Sequence, residues 1–427
     1  MKIPCFWDIS IIVPCFWDIY HAITNFFSLM MEWINDWLWK QEYWLPPGIS
    51  WEDMEKMEGF QQPLPRDLLI SLPLALGFIM LRYAFERGVA RPLSRALGVK
   101  DRVCLKVITA PNLEAFYTKN SRQPTQNEIA SLVNQSNLTY RQVETWFRNR
   151  RNQDRPSNSK KFCEASWRFV FYLVAFTAGL ASLINTSWFW EQRDCWRGYP
   201  QQPVQDVHYW YYMLELGFYW SLLLCVSVDV KRKDFKEQIV HHFATIFLLG
   251  FSYCSNYIRV GTLVMLVHDS SDFLLESAKM LHYAGWKKTC DSLFVIFAVV
   301  FLVTRLVVFP SKIIYTTLVL SMEMFEPFMG YYFFNVLLLV LQALHIYWAY
   351  LIFRMIYKFL FLGKLDKDER SDVETDPEEE EKEEDHSSWR KRKVVLDSRL
   401  AVLGSSCVLN NLTNQEAGTN RRQPKAR

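Results

Sequence analysis

The nine cysteines of this 427-residue sequence are scattered singly, and none belongs to a C-x-x-C pair. The sequence therefore predicts neither a disulfide framework nor a zinc ribbon. It also has only eight histidines and no H-E-x-x-H motif, which argues against a zinc hydrolase and against the repeated histidine boxes of a membrane di-iron oxygenase. The net charge of +3 carries no information alone, but the distribution of charge along the chain does.

A signal peptide is also absent from the N-terminal region. The segments IPCFWDI and VPCFWDI repeat each other within residues 1–30, and Asp8 and Asp18 interrupt any apolar core of a signal sequence. We interpret residues 1–30 as an N-terminal extension. An artefact of gene prediction, with the chain starting at Met30 or Met31, is the alternative.

Apolar and aromatic residues are abundant, at 50% and 16% of the chain. Such a composition is typical of membrane proteins with aromatic belts at the lipid interface. Apolar runs predict about seven membrane-spanning helices. Their approximate ranges are 67–85, 167–186, 207–228, 237–253, 260–281, 290–309 (ending before Pro310) and 330–357.

Basic clusters follow alternate spans, as in DVKRKDFK after the third one. Because short loops rich in Lys and Arg stay on the cytoplasmic side, we expect a lumenal N-terminus and a cytosolic C-terminus. The sequence thus predicts an all-α, polytopic membrane protein. The predicted parts are residues 1–30 (extension), 31–102 (lumenal segment and first span), 103–160 (polar insert), 161–360 (a domain of six spans) and 361–427 (a disordered tail, first acidic and then basic).

Seven ionisable residues lie within the fourth and fifth spans. They are His241, His242, His268, Asp269, Asp272, Glu276 and Lys279. Each polar side chain at that depth costs about 2.5–3.5 kcal/mol on insertion scales, so such residues indicate function. The spacing of His268, Asp272, Glu276 and Lys279 places them on one helix face. We therefore expect a water-accessible pocket within the membrane, lined by imidazoles and carboxylates.

Two other interpretations compete with this one. Buried histidines are often satisfied core residues, although three histidines and two aspartates on neighbouring spans are harder to explain in that way. Histidines and carboxylates also bind metals. Because the chain has only eight histidines and no H-E-x-x-H motif, a metal site is the weaker hypothesis, and we expect none.

The insert at 103–160 contains the run Trp146, Phe147, Arg148, Asn149, Arg150, Arg151. Its apolar positions predict two short helices and a turn, with Thr139 as N-cap of the second. That helix resembles the third helix of a homeodomain, in which the residue at the position of Asn149 contacts adenine. The segment before Leu113 has no concentrated arginine arm, and DNA binding would require proteolytic release or residence in the inner nuclear membrane. A cytosolic scaffold near phosphate groups and an inert remnant are alternatives, and we do not expect nucleic acid as a partner.

The motif HHFATIF, followed by NYIRVGTLVMLVHDSSDFLLESAKM and combined with this insert, resembles the ceramide synthases, which are TLC-domain enzymes of the endoplasmic reticulum. The resemblance runs from about residue 31 to about residue 370. The segments KKFCEASWRF, DVKRKDFKEQ and TRLVVFPSKIIYTT look closest to the type-four vertebrate branch of the family.

The resemblance implies a helical bundle around an acyl tunnel, and transfer of a fatty acyl group from acyl-CoA to the amine of sphinganine or sphingosine. Acyl-CoA is a substrate, and no cofactor is expected. We expect His241, or else His242, to accept the acyl group as an acyl-imidazole, with His268, Asp269 and Asp272 binding and deprotonating the amine. Direct attack of the amine on acyl-CoA is the rival mechanism. Further predicted substrate-binding residues are Arg259, Glu276 and Lys279.

In this family a lumenal segment between the last two spans influences acyl length. Here the segment is about 320–330, with Met324, Phe325, Glu326, Pro327 and Phe328 at its centre. The resemblance implies long or very long acyl chains, of roughly 18 to 24 carbons, because each buried methylene contributes about 0.8 kcal/mol until the chain meets a closed end.

Other features complete the set of predictions. Ser371 and Thr375 in the tail have an acidic residue three positions on, which favours acidophilic kinases; a merely solvated linker is an equal alternative. Membrane lipids and a homodimer or heterodimer with other ceramide synthases are expected partners. The competing functions are a membrane-tethered DNA-binding regulator and a non-catalytic TLC-type lipid sensor or translocon accessory protein.

Overall fold

The computed structural model describes residues 24–26, 28–55, 63–101, 107–136 and 138–362. Most of the N-terminal extension lies outside these residues, as do the charged tail beyond 362 and its predicted phosphorylation sites, Ser371 and Thr375. Within the described residues the regular elements are helices and none is a β-strand, which confirms the all-α fold class.

The defined α-helices are numbered in chain order. They are α1 (Gln41–Trp44), α2 (Trp51–Glu55), α3 (Ser71–Phe85), α4 (Arg91–Ala96), α5 (Pro111–Lys119), α6 (Gln126–Ser136), α7 (Tyr140–Asp154), α8 (Asn158–Leu183), α9 (Ser187–Trp190), α10 (Asp206–Cys225), α11 (Phe235–Cys254), α12 (Ile258–Tyr283), α13 (Lys287–Leu302), α14 (Tyr315–Leu318) and α15 (Met329–Leu362). Short 3₁₀ turns occur at Pro65–Ile70, Gln192–Cys195 and Leu320–Glu323.

Four stretches are long and apolar enough to cross a membrane: Pro65–Ala96, Tyr140–Leu183, Lys287–Glu323 and Met329–Lys358. Helices α10, α11 and α12 have 20, 20 and 26 residues, so they are also long enough. Polar residues within these helices, such as Glu215, His241 and His268, dilute their apolar character. The number of seven spans therefore stays a prediction.

The sixth predicted span does not end before Pro310. Instead, α13 continues without a break through a π-helical segment, Val303–Ile314, into α14. Proline has no N–H to donate and its ring crowds the preceding turn. The wider π turn accommodates the missing hydrogen bond and the bulk of the proline ring. Pro310 therefore lies inside a continuous helical stretch and does not end it.

Helix α12 lies in the middle of the bundle. It packs along α8 on one side and α13 on another, and it also contacts α10, α11 and the π-helical segment. Helix α3 packs on α10, and α15 packs on α11 and on the π-helical segment. The polar residues of α12 are therefore surrounded by helices.

The insert forms three helices, α5, α6 and α7, rather than the two predicted. The first was missed because its apolar positions are few, but Leu113 of α5 is completely buried. Helix α7 begins after Thr139 as expected, and the Gln142 side chain accepts hydrogen bonds from the Thr139 backbone N–H and hydroxyl. The three helices enclose a small core of their own.

Candidate active site

Three histidines from three helices meet in the centre of the bundle. His241 of α11 stacks on His268 of α12, with ring centroids 6.1 Å apart and an interplanar angle of 22°. The Nε2 atoms of His268 and His345, the latter from α15, are 3.1 Å apart. His268 is 5% exposed and His345 is completely buried, so the imidazoles are largely shielded from bulk solvent.

The hydrogen bonds of His268 restrict its protonation. Its Nδ1 lies 2.7 Å from the carbonyl oxygen of Val264, which can only accept, so Nδ1 carries a hydrogen. Arg305 Nη1, which can only donate, lies 3.0 Å from His345 Nε2. When both imidazoles are neutral, neither of the two facing Nε2 atoms, of His268 and of His345, therefore carries a hydrogen. One further proton can bind between these two atoms.

Arg305 fixes the position of this pair. It projects from the π-helical segment and is 2% exposed. Its Nη2 donates to the His268 carbonyl oxygen at 2.7 Å, to Ser271 Oγ at 3.1 Å and to Asp272 Oδ1 at 3.0 Å. The Asp272 carboxylate is thereby paired with a cation within the site.

Asp269 has a different environment from Asp272. Its Oδ2 accepts a hydrogen bond from the Tyr211 hydroxyl at 3.3 Å, while its Oδ1 is buried without a hydrogen-bond partner among the described residues. Glu215 of α10 lines the same cavity, and both its carboxyl oxygens are likewise unpartnered within the described part of the chain. This pair of acids faces a cavity and forms no ion pair within the described ranges.

Two cavities flank the histidines. The first, of about 90 Å³, is polar and lies towards the end of the bundle where α11 begins and α12 ends. Its ionisable or polar lining residues are Arg168, Tyr172, Gln238, His241, His242, Asp272, Glu276, Lys279 and Arg305. We call it the polar cavity.

The second cavity, of about 30 Å³, extends towards the opposite end of the bundle, and we call it the apolar cavity. Its lining residues are Glu215, Tyr219, Thr245, Leu248, Leu249, Ser252, Gly261, Val264, Met265, His268, Asp269, Phe334, Leu338 and Leu341. Polar groups are concentrated where the histidines stand, and the remainder is largely aliphatic or aromatic. The stacked His241 and His268 rings thus lie at the boundary between the two cavities.

Most of the predicted site residues are brought together here, but Arg259 is not. Its Nη1 donates to the carbonyl oxygens of Asp194 and Arg197, at 2.7 and 3.2 Å, and its guanidinium lies over Trp188. It lines neither cavity. Lys279 and Glu276 do line the polar cavity and form a buried ion pair of 2.6 Å.

Three residues of the site, His345, Arg305 and Glu215, were not predicted from the sequence. Each is a single ionisable residue inside an apolar run, on a helix other than α11 and α12. The cost of burying such a group in a membrane was a signal that could have found all three. No group of three or more His, Cys, Asp or Glu side chains suited to hold a metal ion occurs within the ranges that the structure describes.

The predicted acyl-length segment lies where α14 and the following 3₁₀ turn lead into α15. Met324, Glu326 and Pro327 are exposed, whereas Phe328 is buried. The Phe325 ring packs against Trp196, Tyr199 and Tyr257. Tyr257 in turn packs on Phe334, with centroids 5.0 Å apart, and Phe334 lines the apolar cavity.

The residues of the homeodomain-like helix have mainly structural contacts. Trp146 and Phe147 are buried in the core of the insert. Arg150 donates to both carboxylate oxygens of Glu114, and it also pairs with Asp154. The hydrogen bond from Arg150 lowers the pKa of Glu114. Of the four residues, only Asn149 is partly exposed without such a contact among the described residues, so three of them stabilise the insert.

Comparison with known proteins agrees with this architecture. The TLC domain family matches residues 161–354, and the homeodomain family matches residues 99–156. Ceramide synthase 4 of Bos taurus is 50% identical over 341 residues, which cover 80% of this chain and 87% of the bovine protein. Ceramide synthase 4 of Homo sapiens is 49% identical over 82% of this chain and 89% of its own length.

Related proteins of other types also match. Ceramide synthase 3 of Homo sapiens is 49% identical over 79% of this chain and 88% of its own length. Similarity of this extent, together with the apolar helices, identifies a membrane protein. The chain belongs to the ceramide synthase family.

Proposed function

We propose that the protein is a sphingoid-base N-acyltransferase of the endoplasmic reticulum membrane. It transfers a long or very long fatty acyl group from acyl-CoA to the amino group of sphinganine or sphingosine, and it releases dihydroceramide or ceramide. The observation that supports this most directly is the position of the stacked His241 and His268 rings between a polar cavity and an apolar one. A substrate with a highly polar head and a long apolar tail fits that division.

The acyl group is loaded first, onto His241. A lone pair of its imidazole attacks the thioester carbonyl, the new C–N bond forms, and the C–S bond breaks to release CoA thiolate. His241 lines the polar cavity, and its Nδ1 is buried without a hydrogen-bond partner among the described residues. His242 lines the same cavity and is positioned to orient the thioester or carry a proton.

The basic side chains of the polar cavity suit the phosphates of the CoA head. Arg168 lines this cavity while its Nη2 bonds Asp229 at 2.7 Å. Arg82 also donates to Asp229 and in turn pairs with Glu86. Among the residues that line the polar cavity, the basic Arg168, Lys279 and Arg305 outnumber the acidic Asp272 and Glu276, and this excess of positive charge favours an anionic ligand.

The sphingoid ammonium then binds beside Asp269 and Glu215. These two acids lack a cation partner within the described residues, whereas Asp272 is paired with Arg305 and Glu276 with Lys279. The ammonium proton passes to the His268–His345 pair, which has a place for one more proton. The free amine attacks the acyl carbonyl, the amide C–N bond forms and the bond to His241 breaks. The excess proton of the amine nitrogen passes to the departing His241 imidazole, which later releases it to water.

Direct attack of the amine on bound acyl-CoA is the rival sequence of steps. In that mechanism the same histidines act only as general bases. Both mechanisms give the same products, and they differ in whether acyl-CoA alone modifies the protein.

The proposed activity is tested with the purified full chain in detergent or in lipid nanodiscs. Sphinganine is supplied with a panel of saturated acyl-CoAs, and products are measured by lipid mass spectrometry. We expect dihydroceramide from the wild type and none above background from the matched double variant His241→Ala/His242→Ala. If the wild-type protein is folded and yields no dihydroceramide with any acyl-CoA of the panel, the proposed function is wrong.

A further inference from the structure

The N-terminal segment before the first membrane helix contacts the aromatic residues at one end of the apolar cavity. We propose that Trp44 of α1 is a residue that limits acyl-chain length, because it supports the aromatic wall against which the end of the chain stops. The proposal rests on the proposed function, since it assigns the apolar cavity to the acyl tail. It adds a determinant far in sequence from the segment at 320–330.

The wall begins with Phe334. This residue of α15 lines the apolar cavity and is 1% exposed. Behind it stands Phe251 of α11, with ring centroids 5.8 Å apart. Leu248 and Ser252, on the adjacent turn of α11, line the cavity themselves. From His241 to Phe251 the helix rises about 15 Å, so the wall lies well along the path of a tail that starts at the histidine.

Trp44 closes the wall from outside the bundle. Its ring stacks on Phe251, with centroids 5.3 Å apart and an interplanar angle of 21°. It is in turn held by stacking on Trp39 at 5.0 Å and by a hydrogen bond from its Nε1 to the Leu38 carbonyl oxygen at 2.6 Å. Among the aromatic contacts of Phe251, the one with Trp44 has the shortest centroid distance, against 5.7 Å to Phe333 and 6.0 Å to Tyr257.

The close fit at Gly330 shows that the N-terminal segment is pressed against α15. A Cβ atom at this position would clash with the Phe251 ring and with the carbonyl oxygen of Tyr43. The next residue after Trp44, Leu45, is only 2% exposed. Helix α1 is therefore packed onto the bundle at the point where α11 ends and α15 begins.

Chain length is the property that such a wall controls. Each methylene that finds room in an apolar cavity favours the longer substrate by up to about fourfold. Removing the Trp44 ring allows Phe251 to move outward, which extends the cavity. The expected result is a shift towards longer acyl chains rather than a loss of activity.

The test compares wild type, Trp44→Ala and Trp44→Leu with an equimolar panel of saturated acyl-CoAs of graded length. Trp33→Ala is the matched control, because Trp33 lies in the same segment and is 66% exposed. We expect both Trp44 variants to raise the ratio of longer to shorter dihydroceramides, by up to about fourfold per added methylene, and the control to keep the wild-type ratio.

The outcomes separate this inference from the proposed function. If wild type makes dihydroceramide and the Trp44 variants keep its product distribution, the inference is wrong and the proposed function stands. If wild type makes none, the proposed function itself fails. Should Trp44→Ala not accumulate as folded protein, Trp44→Leu decides, since it keeps an apolar side chain at the site; an unchanged distribution in that variant overturns the inference.

Discussion

The proposed site consists of ionisable side chains that are buried between helices. His268 stands between a carbonyl oxygen that can only accept and an imidazole that already receives a hydrogen bond from Arg305. His268 can therefore gain a proton on its Nε2 without losing an existing hydrogen bond. The Nδ1 atom of the adjacent His241 has no hydrogen-bond partner among the described residues. An unpartnered ring nitrogen suits a nucleophile rather than a base.

Replacing His241 tests the first of these roles. His241→Ala should lower kcat for dihydroceramide synthesis by about 10²–10⁴-fold or more, because the acyl acceptor is removed. The measurement is steady-state turnover of purified protein at matched amounts of folded enzyme. Phe243→Ala, at a 45% exposed position of the same helix, should keep wild-type turnover; near-normal activity of His241→Ala would refute the assignment.

Replacing His345 tests whether it acts through His268. His345→Leu should lower kcat about tenfold or more, the equivalent of one lost hydrogen bond to a charged group of about 1.5–3 kcal/mol. The KM for acyl-CoA should stay unchanged, because His345 does not line the polar cavity.

The conservative variant His345→Gln provides the control for that experiment. Its amide oxygen can accept hydrogen bonds both from Arg305 and from the protonated Nε2 of His268. It should therefore recover part of the lost kcat. Equal effects of Leu and Gln on kcat and on thermal stability would mean that His345 is only a packing residue.

At this scale the sequence allowed the part of the site on α11 and α12 to be predicted. His241, His242, His268, Asp269 and Asp272 lie in two adjacent apolar runs, so their density made them conspicuous. Arg305, Glu215 and His345 each stand alone on a separate helix. Only the packing of α10, α15 and the π-helical segment around α12 brings them to the same place.

The π-helical segment is an element that was not predicted from the sequence. A proline in an apolar run predicts the end of a helix, but here the helix continues through Pro310 in a wider turn. The widened stretch begins at Val303 and includes Arg305, whose guanidinium bonds α12 and His345. A local defect in helix geometry thus coincides with a functional position, as is common for π-bulges.

The segment at 320–330 gives a second prediction at the scale of an element. Phe325 contacts the wall of the apolar cavity only indirectly, through Tyr257 and Phe334. Phe325→Ala should therefore shift products towards longer acyl chains, measured with the same panel of acyl-CoAs. Met324→Ala is the control, because Met324 is 52% exposed and should leave the distribution unchanged.

The result that would contradict this role is also specific. If Phe325→Ala is active and its product distribution equals that of wild type, the segment does not act through the aromatic contacts described above. Within the insert, the buried Trp146 and Phe147 and the Arg150–Glu114 ion pair contribute to the stability of the insert itself.

For the whole molecule, the sequence predicted the helical class but not the arrangement of helices. Apolar runs mark where helices lie, and basic clusters suggest their direction. Neither determines which helix is central, because that depends on side-chain packing between residues distant in sequence. The position of α12 among α8, α10, α11 and α13 could only be seen in the structure.

The proposed topology yields a prediction for the intact molecule. Asn134, in a sequon of α6, should carry no glycan when the chain is synthesised with microsomes, because the insert is expected to be cytosolic. The measurement is the mobility shift removed by a glycosidase, with a variant carrying a sequon in the loop between α8 and α10 as the positive control. A glycan on Asn134 would contradict the topology.

The most direct test of the account is to expose the purified protein to a long-chain acyl-CoA alone, without a sphingoid base, and to analyse its peptides by mass spectrometry. The account predicts an acyl adduct on His241 that is absent from His241→Ala and that disappears, with formation of dihydroceramide, when sphinganine is added. Normal turnover with no adduct detectable under rapid quenching would contradict it.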